Sequence, residues 1–146
     1  MAGELQIVGF RVGQQDFGLP IASVHEIVRP PEITPVPQSA QCVAGVMNLR
    51  GRIVPVVDLR LRLQQSAENS PKNRVLVVSV EGRFVGMLVD TASEVLKVMP
   101  ADIESGPRVF GGETEPWVTG IAKYQGRLVV LVDAGKLLPA QAVSAS

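Results

Sequence analysis

Apolar residues run along this chain in short stretches broken by Gly, Pro, Asn and Ser, the signature of strands joined by turns. Leu5 to Val12, with Val, Ile and Phe, predicts a first strand. Gly13-Gln14-Gln15-Asp16 is a turn, and Phe17 to Ile21 predicts a second strand with Pro20 near its end. Val24 to Val28 is a third, short strand. Arg29 to Pro37 holds four prolines in nine residues, which forbids a helix and favours an extended surface segment. Val43 to Leu49 and Arg52 to Val57 form a hairpin around Arg50-Gly51. Asp58 suits a helix N-cap, although Leu59, Leu61 and Leu63, spaced by two, leave a continued strand open.

Gln64 to Asn73 is polar and is the best linker candidate. Strands restart at Arg74 to Val80, turn at Glu81-Gly82-Arg83, and continue through Phe84 to Val89 and Glu94 to Val98. Pro100 to Pro116 is a long polar loop. A second hairpin spans Trp117 to Val132, Asp133 caps a last helix to about Leu138, and Ala140 to Ser146 is expected to fray.

The two hairpins are copies of one another. Val43–Leu63 and Val118–Leu138 align over 21 positions with eight identities, where unrelated segments would share about one. The identities are Val43/Val118, Gly45/Gly120, Gly51/Gly126, Arg52/Arg127, Val54/Val129, Val57/Val132, Asp58/Asp133 and Leu63/Leu138. Earlier in each half, Phe17-Gly18-Leu19 parallels Val85-Gly86-Met87, and Val24-His25-Glu26-Ile27 parallels Ala92-Ser93-Glu94-Val95. Each half therefore holds about five short strands, enough to close a small barrel, which removes exposed edges. A half of about 70 residues has a marginal core alone, so the two are expected to pack together, as subdomains 1–65 and 66–146.

Composition narrows the function. The 46% hydrophobic content suffices for a core, and 14 basic residues balance 14 acidic ones. Zero net charge argues against nucleic acid or an anionic membrane as main partner, and 4% aromatic residues are too few for base stacking. A single Cys42 excludes an internal disulfide and agrees with a reducing cytosol. The start Met1-Ala2-Gly3-Glu4 lacks the features of a signal peptide, and no run approaches the ~18 apolar residues of a membrane helix. A cytoplasmic protein with no membrane insertion is expected.

Catalytic chemistry finds little to use. Duplicated β proteins with paired aspartates invite comparison with aspartic proteases, but Asp58-Leu59-Arg60 and Asp133-Ala134-Gly135 are not Asp-Thr/Ser-Gly turns. Asp90-Thr91-Ala92 comes close and has no equivalent in the other half. Helix capping is the expected role of Asp58 and Asp133. One His and one Cys cannot build a zinc site, and no glycine cluster forms a phosphate loop. His25 reads as a surface or interface histidine, and Cys42, without a basic neighbour, as a buried structural thiol. Two features ask for more. Arg50 sits at a hairpin tip that needs Gly but not Arg, and Glu26 lies among strand-forming Val24, Ile27 and Val28, a place that suggests an ion pair.

Phe17-Gly18-Leu19-Pro20-Ile21, then Val24-His25-Glu26-Ile27, then Pro35-Val36-Pro37, then the run from Gly45 through Asn48-Leu49-Arg50-Gly51 to Pro55-Val56-Val57-Asp58-Leu59-Arg60, resemble the CheW-like family of bacterial chemotaxis coupling proteins. The likeness runs from about Leu5 to Leu138. It implies a mainly β fold of two SH3-like five-stranded barrels packed on each other, with short helices after the repeated hairpins. It implies no enzymatic activity and no cofactor or metal. It implies two partners: the regulatory domain of a CheA-type histidine kinase, and the cytoplasmic tip of methyl-accepting chemoreceptors, docked in a groove between the barrels. No kinase, receiver or phosphotransfer segment accompanies the pattern, which suggests a stand-alone adaptor, expected at membrane-associated receptor arrays. The partner-binding residues it implies are Val24, Glu26, Gly45, Asn48, Leu49 and Arg50, not divided between the two partners. Gly45, a glycine within a strand, marks a close backbone approach either to a partner or within the barrel. The alternatives are the same adaptor in a chemosensory-like pathway controlling pili or a second messenger, and, from another class, a small β-barrel that binds nucleic acid or oligosaccharide.

Overall fold

A computed structural model describes residues 3–105 and 115–139. The strands are β1 (Leu5–Val12), β2 (Gln15–Pro20), β3 (Val24–Val28), β4 (Val43–Leu49), β5 (Arg52–Asp58), β6 (Arg74–Val80), β7 (Arg83–Val89), β8 (Thr91–Val98), β9 (Ile103–Ser105), β10 (Val118–Tyr124) and β11 (Arg127–Val132). Short helices follow each repeated hairpin: α1 (Leu59–Arg62) and α2 (Ala134–Leu137). The capping role of both aspartates holds. Asp58 accepts from Arg60 N and Asp133 from Lys136 N, each at 3.1 Å. The leucines after Asp58 therefore start a helical turn rather than extend the strand. The expected polar loop begins with order instead: Pro100–Asp102 is a 3-10 turn and β9 follows. Its remainder from 106 to 114, and the expected frayed end at 140–146, lie outside the described residues.

The strands form two sheets, ordered β8-β1-β2-β11-β10-β9 and β3-β6-β7-β5-β4. The fold is mainly β with two SH3-like subdomains, and each of the two sheets draws strands from both the 1–65 and the 66–146 segments. The β1–β2 hairpin of the first half sits in the sheet of the second, and the β6–β7 hairpin of the second half sits in the sheet of the first. The exchange is symmetric. Parallel pairing sets Val56 against Gly86 in one sheet and Leu131 against Gly18 in the other, the same positions under the duplication. A 3-10 turn at Ile21–Ser23 carries the chain from β2 across to β3.

This exchange explains where the apolar residues go. β6 sends Val75 and Val77 into the core of its own sheet and Leu76, Val78 and Val80 into a core shared by both sheets. β1 likewise puts Ile7 in its own sheet's core and Val8, Phe10 and Val12 in the shared one. Strands buried on both faces read as continuous apolar runs. The shared core is the largest, and Leu59, Ala134 and Leu137 of the two short helices, with Leu138 just after the second, complete it. Arg62 Nε donates to Leu137 O at 2.8 Å, joining α1 to α2.

The edge of β4 is covered by the proline-rich segment through one bridge, Thr34 to Val46. At the duplicate position Ile121, the cover is a full strand, β9. Prolines carry no N–H for a ladder, so the segment beside β4 stops at one bridge.

Candidate functional site

The β4–β5 hairpin turns at Arg50 and Gly51, with φ of 50° and 90°. A two-residue turn matching the strand twist needs left-handed backbone at both positions. Gly51 adopts it freely; Arg50 is held there by contacts on both sides. Asn48 Oδ1 accepts from Gly51 N at 2.7 Å. The Arg50 guanidinium forks onto Glu26, with Nη1 donating to Oε1 at 3.1 Å and Nη2 to Oε2. Glu26 lies on β3 and Arg50 at the end of β4, the two edges of one sheet. The ion pair therefore spans the gap where that sheet curls toward closure.

Glu26 is held below its usual pKa of 4.5, first by the hydrogen bonds from Arg50, with partial burial opposing. Arg50 is raised in turn by its bond to Glu26. His25 Nε2 lies 3.3 Å from the Glu26 carboxylate, and its ring stacks on Phe84 with centroids 4.4 Å apart. The Arg52 guanidinium also lies 4.4 Å from the Phe84 ring centre. Beside this polar cluster stands Ile53, 71% exposed. It lines two shallow clefts, of about 240 Å³ with Pro31, Thr34 and Asn48, and about 270 Å³ with Pro55, Gly82 and Phe84. The result is a part-charged, part-apolar surface, with its carboxylate engaged by arginine and no nucleophile set against a base.

Among the described residues, no group of three His, Cys, Asp or Glu could hold a metal ion. None of their helices is long and apolar enough to cross a membrane.

The CheW-like domain family matches residues 6–142. The chain belongs to the CheW-like family. It is 34% identical over 140 residues to the chemotaxis protein CheW of Rhizobium meliloti, covering 95% of this chain and 90% of that protein. Protein PilI of Pseudomonas aeruginosa is also 34% identical, over 86% of this chain and 79% of its own length. The crystal structure of the scaffolding protein TtCheW from Thermoanaerobacter tengcongensis superposes with a TM-score of 0.83 at 33% identity, covering 94% of this chain and 92% of that one.

The structure brings Glu26, Asn48 and Arg50 together at one end of a sheet, and separates the other expected residues from them. Leu49 is 7% exposed and belongs to the core with Met47 and Val54. Its position in β4 points the side chain inward. Val24 is half-buried against the shared core. Gly45 is buried with φ +145°, and a Cβ there would lie 2.1 Å from the Thr34 carbonyl oxygen. The close approach that Gly45 marks is thus to the chain's own proline-rich segment. Gly120 plays the same part beside Glu104, where a Cβ would come within 2.7 Å of its carbonyl. Cys42 is half-buried against the core rather than fully enclosed.

Sequence reasoning missed Ile53, Arg52 and Phe84. A signal for Ile53 existed: Val54 and Val56 face the core, so an aliphatic residue between polar Arg52 and Val54 points outward. Leu128, its duplicate, is likewise 59% exposed.

Proposed function

We propose that this protein is a non-catalytic adaptor that couples methyl-accepting chemoreceptors to a CheA-type histidine kinase in bacterial chemotaxis, in the cytoplasm at receptor arrays. The observation that carries the reading is the near full-length relation to the chemotaxis protein CheW of Rhizobium meliloti. The geometry supports it: the Glu26–Arg50 fork, Asn48 and the exposed Ile53 form a surface suited to binding protein rather than to turnover. Arg50 holds the hairpin tip in position against β3, and Ile53 supplies apolar contact beside it. The duplicated fold gives a second sheet with its own hairpin tip, at Gln125 and Gly126, so one molecule can hold two different partners in fixed relation. The similarity to Protein PilI supports a second reading, the same adaptor in a chemosensory-like pathway with another output.

The test is co-sedimentation with receptor-bearing membranes and kinase, read beside melting temperature. Arg50→Ala and Ile53→Asp are expected to weaken recruitment of at least one partner while the melt stays native. Native recruitment of both partners by both variants overturns the assignment of this surface. A native chain that recruits neither partner overturns the adaptor role itself.

A further inference from the structure

The duplication puts the same carboxylate in two places and only once gives it an arginine. In the first copy Asp58 is followed two residues on by Arg60, whose side chain is 1% exposed. Its guanidinium forks onto Asp58, Nε to Oδ1 at 2.9 Å and Nη2 to Oδ2 at 3.1 Å. In the second copy Asp133 holds the place of Asp58, and Gly135 holds the place of Arg60. The backbones correspond closely. Asp58 N donates to Cys42 O at 2.7 Å and Asp133 N to Trp117 O at 2.8 Å, duplicate positions in each case.

Where the arginine is missing, there is space. An open pocket of about 530 Å³ is lined by Asp133, Gly135, Lys136, Glu81, Ser23 and Thr119, among others. Glu81 comes from the β6–β7 turn, the symmetry mate of the β1–β2 turn, which Asp90 links to Arg60. Asp133 is half-buried, and one of its oxygens caps α2. Two carboxylates against one ammonium leave the lining with a negative balance. A planar cation with forked donors suits a carboxylate presented this way, as the first copy demonstrates within the same chain.

We propose that the Asp133 pocket is a docking site for an arginine side chain of a protein partner, which supplies in trans the guanidinium that Arg60 supplies to Asp58 in cis. The inference deepens the adaptor reading and places a charge-specific contact on the face opposite in symmetry to Arg60. Gly135 keeps the entrance clear. Its φ lies outside the left-handed region, and a Cβ there would meet only Asp133 Oδ1 at 3.3 Å and Val80 Cγ1 at 3.5 Å. A side chain is therefore tolerated, and an arginine at 135 would close the pocket from within.

The experiment is an amide-resolved NMR titration of the full chain with N-acetyl-L-arginine methylamide, with the lysine analogue as comparator. Saturable shifts are expected at Asp133, Gly135 and Glu81, and not at Asp58 or Arg60. Binding should weaken about tenfold in Asp133→Asn, the loss of one charge-assisted bond, and vanish in Gly135→Arg. No saturable response in the native chain overturns the proposal, as does an undiminished response in Asp133→Asn. An equal response to the lysine analogue overturns the guanidinium assignment. A response that appears only in Lys136→Ala shows the pocket already neutralised by its own ammonium, which overturns docking in trans. None of these readouts involves receptor or kinase, so they stand or fall apart from the adaptor role.

Discussion

Arg60→Ala is the substitution expected to cost this fold most for its size. Arg60 is an arginine with 1% of its side chain exposed, and the other arginines among the described residues lie nearer the surface. Besides the fork to Asp58, its Nη1 donates to Glu68 O at 2.7 Å and approaches Asn73 Oδ1 and Asp90 Oδ1, both at 3.4 Å. Asn73 Nδ2 in turn donates to Asp90 O at 3.1 Å, and Asp90 Oδ2 accepts from Gly13 N at 2.6 Å. One guanidinium thus ties β5, the polar linker, the end of β7 and the β1–β2 turn of the opposite sheet. Its pKa is raised first by the bond to Asp58, against desolvation. Removing it leaves Asp58 buried, charged and without its partner. Stranding one member of a buried pair costs about 3–5 kcal/mol. At about 3 °C per kcal/mol for a chain of this length, the melting temperature should fall roughly 10–15 °C. The double variant Arg60→Ala/Asp58→Asn should recover part of that, because Asn keeps the helix cap and removes the stranded charge. Arg60→Lys should fall between, since an ammonium cannot fork. Thermal melts by circular dichroism read all four chains. A fall below about 1 kcal/mol, the range of exposed pairs, would falsify the network as a structural tie.

Gly45→Asp is expected to lower stability rather than spare the fold and cut binding. The φ of +145° alone costs roughly 1–3 kcal/mol for a residue with a Cβ, before the clash with Thr34. A native melting temperature with lost partner recruitment would instead make Gly45 a partner contact. A chain ending at Gln65 should show no cooperative melt, because it lacks β6 and β7, two of the three central strands between edges β3 and β4; a sharp transition sinks that reading. Glu26 should titrate by carboxyl-carbon NMR with a midpoint below 4.5. Because the folded pKa is depressed, the pair's stabilisation is present above the unfolded value and is lost only as pH falls through the folded one. It is therefore constant across neutral pH, and a midpoint at or above 4.5 shows the fork absent in solution.

All the strands but β9 were legible because each is a largely apolar run with a clear break, and the duplication was legible because the turns and caps repeat. Sheet membership was not. Phe17-Gly18-Leu19 and Val85-Gly86-Met87 carry the same pattern, so either hairpin satisfies either sheet locally, and pairing across about 70 residues leaves no local mark. At Leu49 the motif and the strand period point in different directions. It sits inside a motif recognised as a block, while alternation along β4 buries Gly45, Met47 and Leu49 and turns Val46 and Asn48 outward. The period of two carried the better signal. The burial of Arg60 had no local signature, since Leu59-Arg60-Leu61-Arg62 reads as an exposed helical turn until the linker folds over it.

What the copies share and what they do not share separate two kinds of constraint. Gly45/Gly120 allow the approach of a covering segment, Gly51/Gly126 turn the hairpin with positive φ, and Asp58/Asp133 cap the helices. These identities meet demands of the backbone, which are the same in both halves. Arg50 against Gln125 and Arg60 against Gly135 are not set by the backbone in this way, because the second copy's turn and helix form without an arginine at these positions. At those places the two symmetry-related ends of the molecule differ in charge while their framework stays equal. A duplicated fold that binds two copies of one partner would keep its ends alike. Here one scaffold carries different chemistry at its two ends: Arg50 pairs with Glu26 and Arg60 with Asp58, where the second copy has Gln125 and Gly135.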